Sequence, residues 1–228
     1  MAKIEENVES VREKIALSCQ RAGRNGADVQ LVAATKGVPI ERIREAIAAG
    51  VEIIGENRIQ EAFAKHEKID APVAWHMIGH LQTNKVNKAL DLFCLVQSVD
   101  SYRLAEELST RALQRGKVID ILVEVNTSGE PTKFGIAPHE APQFIQQLSS
   151  LRGIRVRGLM TIAIFAAEPE VVRPCFTRLR RLRDEIEEKG TSEIEILSMG
   201  MTSDFRVAIE EGSNMVRIGT GIFGVRHR

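Results

Sequence analysis

A lone lysine closes the first apolar run of the sequence. Residues 31–37 read L-V-A-A-T-K-G, so Lys36 follows small apolar residues and precedes a glycine that breaks the pattern. A lysine amine that is partly removed from water has a lowered pKa, and the neutral amine condenses with an aldehyde to form a Schiff base. A structural ion pair at the end of a strand is the alternative, and spacing alone does not decide between the two.

Small and hydroxyl-bearing residues follow the last two apolar runs. The segments 198–202 and 217–221 read S-M-G-M-T and R-I-G-T-G. In a (β/α)8 barrel, loops of this kind after strands seven and eight expose backbone N–H groups and hydroxyls that bind a phosphate. Because the first and last strands of a closed barrel are neighbours, we expect Lys36 and the phosphate site to share one mouth.

Eight short runs rich in Val, Ile and Leu supply the strands for this arrangement. Segments of helical spacing separate most of them, so the pattern predicts βα units and a parallel sheet covered on both faces. The count of eight and the length of 228 residues favour one closed barrel, a single domain over residues 1–228, rather than an open doubly wound sheet. The runs are 29–35, 51–54, 74–78, 95–99, 119–125, 154–160, 194–199 and 215–218.

An additional helix precedes the first strand. Ile4, Val8, Val11 and Ile15 recur at the spacing of an amphipathic helix. A second apolar stripe, Leu179, Leu182 and Ile186, runs through the charged segment 178–189, which we interpret as the solvated surface of a barrel helix and not as a nucleic-acid site.

The composition excludes several classes of partner. Acidic and basic residues number 31 each, so the balance gives no reason to expect binding to nucleic acid or to an anionic membrane. The first residues carry glutamates and resemble no secretory signal, and no apolar stretch reaches the roughly 20 residues of a membrane span. These features predict a soluble, cytoplasmic protein. We expect Cys19, Cys94 and Cys175 to be buried free thiols, because their number is odd and their spacing wide.

Two motifs match known sites by letter only. Residues 219–224, G-T-G-I-F-G, have the glycine spacing of a dinucleotide loop, but we expect no helix after them and no acidic residue about 20 positions on to bind a ribose. His76 and His80 are four residues apart, yet they fall on a predicted strand and turn without the glutamate of a zinc protease. The sequence therefore predicts neither a dinucleotide site nor a metal site.

Several ordered motifs resemble one family along essentially the whole chain. They include L-V-A-A-T-K, I-G-E-N-R-I-Q-E-A, W-H-M-I-G-H-L-Q-T-N-K, V-N-T-S-G-E-P-T-K-F-G, L-S-M-G-M-T-S-D-F and V-R-I-G-T-G-I-F-G. This sequence is similar to the YggS/PROSC family of pyridoxal 5′-phosphate (PLP) homeostasis proteins. That family resembles the N-terminal barrel of alanine racemase, so the resemblance implies a fold-type III PLP barrel.

The resemblance also implies roles for individual residues. Lys36 is expected to hold PLP as a Schiff base, Asn57 to line the pocket, and Arg217 to face the pyridine nitrogen. The phosphate is expected to contact Ser198, Met201, Thr202, Gly219 and Thr220. Two positions depart from the family pattern: Thr202 stands where serine is common, which keeps the hydroxyl, and Gly221 where alanine is usual, which we expect to loosen the turn slightly.

These roles predict a PLP carrier without efficient catalysis. An arginine is not deprotonated at ordinary pH, so Arg217 favours a neutral pyridine nitrogen and a weak electron sink. Racemisation also needs an acid/base group on each face of the α-carbon, and alanine racemases supply one of them as a tyrosine from the partner's second domain. The one tyrosine in this sequence, Tyr102, is expected on a helix outside the barrel. We therefore expect a monomer that passes PLP to PLP-requiring apoenzymes.

Two enzymatic readings remain open on the sequence. One is a low-activity PLP-dependent amino acid racemase that uses Lys36 and either His80 or a bound water. The other is a Schiff-base aldolase that acts on a sugar phosphate at the same lysine and phosphate site. Colour separates the aldolase from the PLP proteins, because a PLP Schiff base is yellow.

Overall fold

The strands of the structure form a closed parallel barrel. The structure is a computed structural model and describes residues 3–166, 168–190 and 192–225. In these residues each strand pairs with the next along the chain, and the last pairs with the first. The strands are β1 (Gln30–Ala34), β2 (Ile53–Glu56), β3 (Ala74–Met77), β4 (Leu95–Val99), β5 (Ile119–Glu124), β6 (Ile154–Met160), β7 (Ile196–Ser198) and β8 (Met215–Ile218).

Helices connect the strands and form the outer layer. An apolar stripe on each one packs against the barrel, as Leu179, Leu182 and Ile186 do in the seventh helix. The helices are α1 (Ile4–Arg21), α2 (Ile40–Ala48), α3 (Ile59–His66), α4 (Val86–Leu92), α5 (Tyr102–Gln114), α6 (Ala141–Leu148), α7 (Pro169–Glu188), α8 (Phe205–Glu210) and α9 (Thr220–Phe223), with 3₁₀ turns at Gly26–Asp28, Thr83–Lys85 and Pro138–Glu140.

The predicted (β/α)8 barrel with an N-terminal helix is confirmed. All eight predicted runs contain a strand, although β2 lies two residues later than the predicted 51–54. The sequence prediction placed Glu56 after the end of that strand. Glu56 stays in β2 because its buried carboxylate is paired with Lys65. The predicted domain, 1–228, includes residues 1–2, 167, 191 and 226–228, which lie outside the described ones.

The N-terminal helix occupies the position of the barrel's eighth helix. Among the described residues, β8 is followed only by the single turn α9, and α1 packs against α2, α8 and α9. The predicted stripe Ile4, Val8, Val11 and Ile15 is buried there. Asn7 Nδ2 donates to the Ile222 carbonyl at 2.8 Å, which ties the first helix to the last. α1 thereby packs between α2, which follows β1, and α8 and α9, which flank β8.

The barrel interior has an apolar layer and a polar layer. Inward-facing side chains alternate along a strand, so residues two apart lie on the same face. Val32, Leu95, Leu122, Met160 and Met215 form a buried apolar cluster inside the barrel. Four polar side chains lie on the same inward face, each two residues further along its strand than Leu95, Leu122, Ile196 or Met215. These are Gln97, Glu124, Ser198 and Arg217, all buried.

The polar layer therefore lies toward the carboxyl ends of the strands. We call this end of the barrel, with the loops that follow the strands, the mouth. Among the described residues, no helix is long and apolar enough to cross a bilayer.

Candidate functional site

Lys36 lies in a tight turn directly after β1. The Val38 N–H donates to the Thr35 carbonyl at 2.9 Å, which closes the turn around Lys36 and Gly37. Gly37 has φ of 67°, a left-handed conformation that favours glycine, as at the third position of a type II turn. Lys36 itself is exposed, so the expectation of a lysine partly removed from water is wrong. The turn fixes the backbone of Lys36 but leaves its amine in solvent.

The loop after β8 lies beside this turn. β1 pairs directly with β8, as predicted, so the residues after β8 adjoin those after β1. A Cβ atom built on Gly219 would lie 3.4 Å from the Ala34 carbonyl oxygen. Gly37, Gly219 and Thr220 line one cavity of about 240 Å³. The turn that carries Lys36 and the predicted phosphate loop after β8 therefore share one space.

The loops after β7 and β8 present unpaired backbone donors. Among the described residues, nothing accepts a hydrogen bond from the N–H groups of Thr202, Ser203, Gly219 or Thr220. The Met201 N–H differs, because it donates to the Asp204 carboxylate at 2.5 Å. Converging N–H groups of this kind attract anions. The donor set here is neutral backbone, with the Thr220 side chain exposed beside it.

Thr202 and Gly221, the two departures from the family pattern, touch each other. The Gly221 N–H donates to Thr202 Oγ1 at 3.1 Å. A Cβ on Gly221 would lie 3.2 Å from Thr202 Cγ2 and 2.9 Å from Ile218 Cγ2. The methyl group that distinguishes threonine from serine thus occupies space that an alanine at 221 would need. A glycine at 221 therefore leaves room for the threonine methyl group.

A chain of hydrogen bonds crosses the barrel below the mouth. His76 Nδ1 and Gln97 Nε2 are 3.0 Å apart, and Ser198 Oγ donates to Gln97 Oε1 at 2.7 Å. Arg217 Nη1 donates to Ser198 Oγ at 2.6 Å and to the Ser198 carbonyl at 2.8 Å. Arg217 Nη2 donates to the Thr161 carbonyl at 2.8 Å. The chain links strands from opposite walls and fixes the orientation of the guanidinium.

Arg217 is buried but stays charged. Burial lowers its pKa to about 10, against the opposing effect of Glu124 and Asp204, so it remains protonated at neutral pH. Its Nε proton and the second Nη2 proton have no acceptor among the described residues. Arg217 can therefore donate hydrogen bonds toward the mouth but cannot accept a proton from a ligand.

Glu124 is a buried carboxyl group in the same layer. Burial and the nearby Asp100 raise its pKa to about 7, although Arg217 lowers it. Sequence reasoning missed Glu124 and Gln97. Both interrupt apolar runs, in I-L-V-E-V and L-V-Q-S-V, and a polar residue at an inward position of such a strand was the available signal.

Asn57 lies at the mouth, directly after β2. Its Oδ1 atom is buried and has no hydrogen-bond donor among the described residues. A Cβ on Gly79 would lie 2.5 Å from Asn57 Cβ, so the glycine after β3 makes room for this side chain. Asn57 is half-buried and offers an acceptor at the edge of the mouth.

His80 is exposed at the end of β3 and stacks on an aromatic ring. Its ring lies parallel to that of Phe134, with centroids 4.1 Å apart. Its Nδ1 atom is 3.6 Å from an Asp100 carboxylate oxygen. The histidine therefore joins the loop after β3 to the loop after β5.

The remaining predictions on individual residues have mixed outcomes. Cys19 and Cys175 are buried as expected, but Cys94 is exposed, because it precedes β4 at the surface. In the described part of the chain, the single turn α9 lies within G-T-G-I-F-G, and no helix is described after it. Tyr102 begins α5, outside the barrel, as expected. In the described part of the chain, no cluster of three His, Cys, Asp or Glu residues is arranged to hold a metal ion.

Fold and site together define a class: a (β/α)8 barrel with a lysine directly after β1 and unpaired N–H groups after β7 and β8. Residues 2–227 match the family model described as alanine racemase, N-terminal domain. Curated proteins named pyridoxal phosphate homeostasis protein match over nearly the full length. The one from Aquifex aeolicus is 44% identical over 97% of both chains, and the one from Pseudomonas aeruginosa is 39% identical over 99% of this chain and 97% of that one. The chain therefore belongs to the alanine racemase N-terminal domain family, in the group that contains the pyridoxal phosphate homeostasis proteins.

Solved structures show the same barrel. PipY of Synechococcus elongatus PCC7942, determined with PLP bound, is 34% identical, with a TM-score of 0.85, and the match covers 97% of this chain and all of that one (100%). A protein of unknown function from Bifidobacterium adolescentis is 42% identical, with a TM-score of 0.91, over 97% and 94% of the two chains. Alanine racemase of Clostridium difficile 630 shares the fold at 17% identity and a TM-score of 0.74, over 98% of this chain and 57% of that one. The family and fold predicted from the sequence are confirmed.

Proposed function

We propose that this chain binds PLP at the mouth of the barrel, covalently through Lys36, and serves PLP homeostasis without efficient catalysis of its own. The observation that carries the proposal is the cavity of about 240 Å³ that the Lys36 turn shares with Gly219 and Thr220. The turn that carries Lys36 contributes Gly37 to that space, and the loop after β8 contributes Gly219 and Thr220. The names of the curated relatives and the PLP-bound PipY structure support the same ligand.

The residues present fit the phosphate of PLP. The unpaired N–H groups of Thr202, Ser203, Gly219 and Thr220 are donors, which a dianionic phosphate requires. Gly219 brings no side chain into the space, so the backbone is open to an approaching anion. We assign phosphate binding to these loops, with Ser198 and Met201 as backbone supports of the loop after β7.

The residues also fit the pyridine ring and the aldehyde. When bound, PLP supplies an aldehyde that condenses with a lysine amine and a ring that withdraws electrons. Asn57 brings a buried acceptor without a partner, and Arg217 brings donor protons without an acceptor. We assign Lys36 to the aldehyde, Asn57 to the edge of the pocket and Arg217 to the ring nitrogen.

The charge of Arg217 supports the absence of efficient catalysis. Its pKa of about 10 keeps it protonated at neutral pH, so it donates to the ring nitrogen and leaves that nitrogen unprotonated. The electron-withdrawing capacity of the ring is then weak. Weak racemisation is the second candidate function, because His80 is exposed at the same mouth as Lys36.

We extend the proposal to a cytoplasmic monomer that passes PLP to PLP-requiring apoenzymes. The exposed side chain of Lys36 supports reversible loading, because water reaches the attachment point. The exposed apolar residues Leu17, Leu113 and Phe165 lie on separate elements, which supports a monomer. Size-exclusion chromatography with light scattering and transfer assays with an apoenzyme test these two points.

PLP titration of the purified protein tests the main proposal. Wild-type protein is expected to gain visible absorbance and one PLP mass after borohydride reduction. Incubation of the loaded protein with single L-amino acids in deuterated water then separates the two functions. Negligible α-proton exchange supports the carrier, whereas steady exchange with turnover supports the racemase, and no absorbance change contradicts both.

A further inference from the structure

α3 carries a buried lysine that sequence reasoning did not single out as functional. Lys65 is 6% exposed, although it follows Ile59 and Ala62 at the spacing of the buried stripe of α3. Among the described residues, no other lysine is buried. A lysine in a position that the helical pattern reserves for an apolar residue needs a specific reason, because burying an ammonium group is costly unless it is paired.

The ammonium group of Lys65 has an acceptor for each of its three protons. Nζ donates to the Thr35 carbonyl, to Glu56 Oε1 and to Glu61 Oε1, at 2.6 Å in each case. These acceptors come from the end of β1, the end of β2 and α3 itself. Lys65 therefore joins three elements at one point under the rim of the mouth.

The same network reaches the residues on both sides of Lys36. Thr35 Oγ1 donates to Glu56 Oε1 at 2.6 Å. The Gly37 N–H donates to Glu61 Oε1 at 2.5 Å. The residue before Lys36 and the residue after it are thus each fastened to a carboxylate that Lys65 holds, while Lys36 itself projects into solvent.

The two carboxyl groups differ in their surroundings. Glu56 is fully buried, and burial raises its pKa in spite of the hydrogen bonds from Lys65 and Thr35. Partial burial acts to raise the pKa of Glu61 as well, but the hydrogen bonds from Lys65 and Gly37 outweigh it and lower that pKa. An apolar cluster of equal volume would stabilise a barrel at least as well as these buried charges. The ionic network instead fixes the position of the turn that carries Lys36.

We infer that Lys65, acting through Glu56 and Glu61, is the positioning residue for Lys36, and that it sets the direction from which the Lys36 amine meets the PLP aldehyde. The inference rests on the proposed function. Lys65 is not itself the attachment point, because its three protons are all bonded and its amine is buried. Positioning of a reacting group within a fraction of an ångström governs its rate of reaction.

Two variants test the inference, with one matched control. Lys65→Met removes the ammonium group, and Glu61→Ala removes the acceptor of Gly37 while leaving the more deeply buried Glu56–Lys65 pair. Lys189→Met is the control, because Lys189 forms the same i,i+4 pair with Glu185, on the surface of α7. Glu61 is partly exposed, so Glu61→Ala carries the test if Lys65→Met does not fold.

The first readout needs no cofactor. Deuterium uptake by the Gly37 amide of the PLP-free protein reports whether the turn has been released. We expect uptake in Glu61→Ala and Lys65→Met to be at least about tenfold faster than in wild type, because a hydrogen-bonded amide exchanges only through opening. Unchanged uptake in both variants overturns the inference.

The second readout separates positioning from general damage. Covalent loading of PLP is expected to slow by about tenfold or more in both variants, whereas the affinity for pyridoxine 5′-phosphate, which has the phosphate but no aldehyde, stays within about twofold. If both variants load at the wild-type rate, or if they lose affinity for the analogue in parallel, the inference about Lys65 is overturned and the proposed function is not affected. If wild-type protein does not load at Lys36, the proposed function fails and the inference with it.

Discussion

The two sides of the mouth use different chemistry. On the side of β1 and β2, full charges dominate: Lys65 pairs with Glu56 and Glu61 beneath an exposed Lys36. On the side of β7 and β8, the mouth presents unpaired backbone N–H groups. Two buried charged side chains lie near them: Arg217, held by Ser198 and Thr161, and Asp204, which accepts from the Met201 N–H.

This difference matches two tasks. A reacting amine must be held in one place but must not be neutralised by a salt bridge, so the charges on the first side pair with one another and leave Lys36 free. An anion needs many donors with little competition, and unpaired N–H groups provide them without a side chain that would block access.

Lys36→Ala has the largest expected effect. Covalent loading of PLP should be lost completely, because no other amine is expected to react at the mouth. The measurement is visible absorbance together with intact mass after borohydride reduction. Inorganic phosphate should still compete with pyridoxine 5′-phosphate for the phosphate site in this variant, because the loops after β7 and β8 are unchanged. Covalent loading at the wild-type level would contradict the assignment of the attachment point to the β1 side of the mouth.

Glu124→Gln changes the pH dependence of stability on the arginine side. Glu124 has a pKa of about 7 in the folded protein, above its ordinary value of 4.5, so it binds its proton more tightly in the folded state. Its contribution to the free energy of unfolding is therefore present below about pH 4.5 and is lost as the pH rises through 7, by up to about 3 kcal/mol. Urea unfolding at pH 5 and pH 8 should show this loss in wild type but not in Glu124→Gln. Equal pH dependence in the two proteins contradicts the prediction.

Arg217→Met tests the hydrogen bonds that fix the neutral side from below. The change removes three donated hydrogen bonds to Ser198 and Thr161, and we expect the free energy of unfolding to fall by about 2 kcal/mol. The exposed Arg206→Met is the control, with an expected change below about 0.5 kcal/mol. A decrease in the free energy of unfolding that is equally small in both variants would mean that the buried guanidinium does not stabilise the barrel.

The contact between Thr202 and Gly221 gives the smallest expected effect. Gly221→Ala places a methyl group 3.2 Å from Thr202 Cγ2, so it should destabilise the protein by about 1 kcal/mol. Thr202→Ser alone should change little, because the hydroxyl that accepts from Gly221 remains. The double variant should recover part of the loss, which a double-mutant cycle in urea measures. Additive changes would show that the two residues are independent.

The sequence was sufficient for the architecture and for the position of Lys36. Near-continuous apolar runs separated by helical spacing have few solutions other than a parallel barrel, and in a closed barrel β1 must adjoin β8. The ordered motifs then identified the family. These inferences depend on pattern and topology, which hold regardless of side-chain detail.

The sequence was not sufficient for the contacts that hold Lys36. Lys65 and Glu56 lie nine residues apart, and nothing in their spacing shows that both are buried against Thr35. The same missing information affected β2, which was predicted over residues 51–54 but includes the buried Glu56. Exposure was also wrong for Lys36 and Cys94, because burial at a strand end depends on how the next loop folds.

Peptide mapping after borohydride reduction of the PLP-loaded wild-type protein tests the central claim most directly. We expect the PLP mass to be on Lys36 alone, with no modification of Lys65 or of Lys85, which lines a pocket with Asn57 and His80. A reduced adduct on Lys65 or Lys85, with Lys36 unmodified, would contradict it.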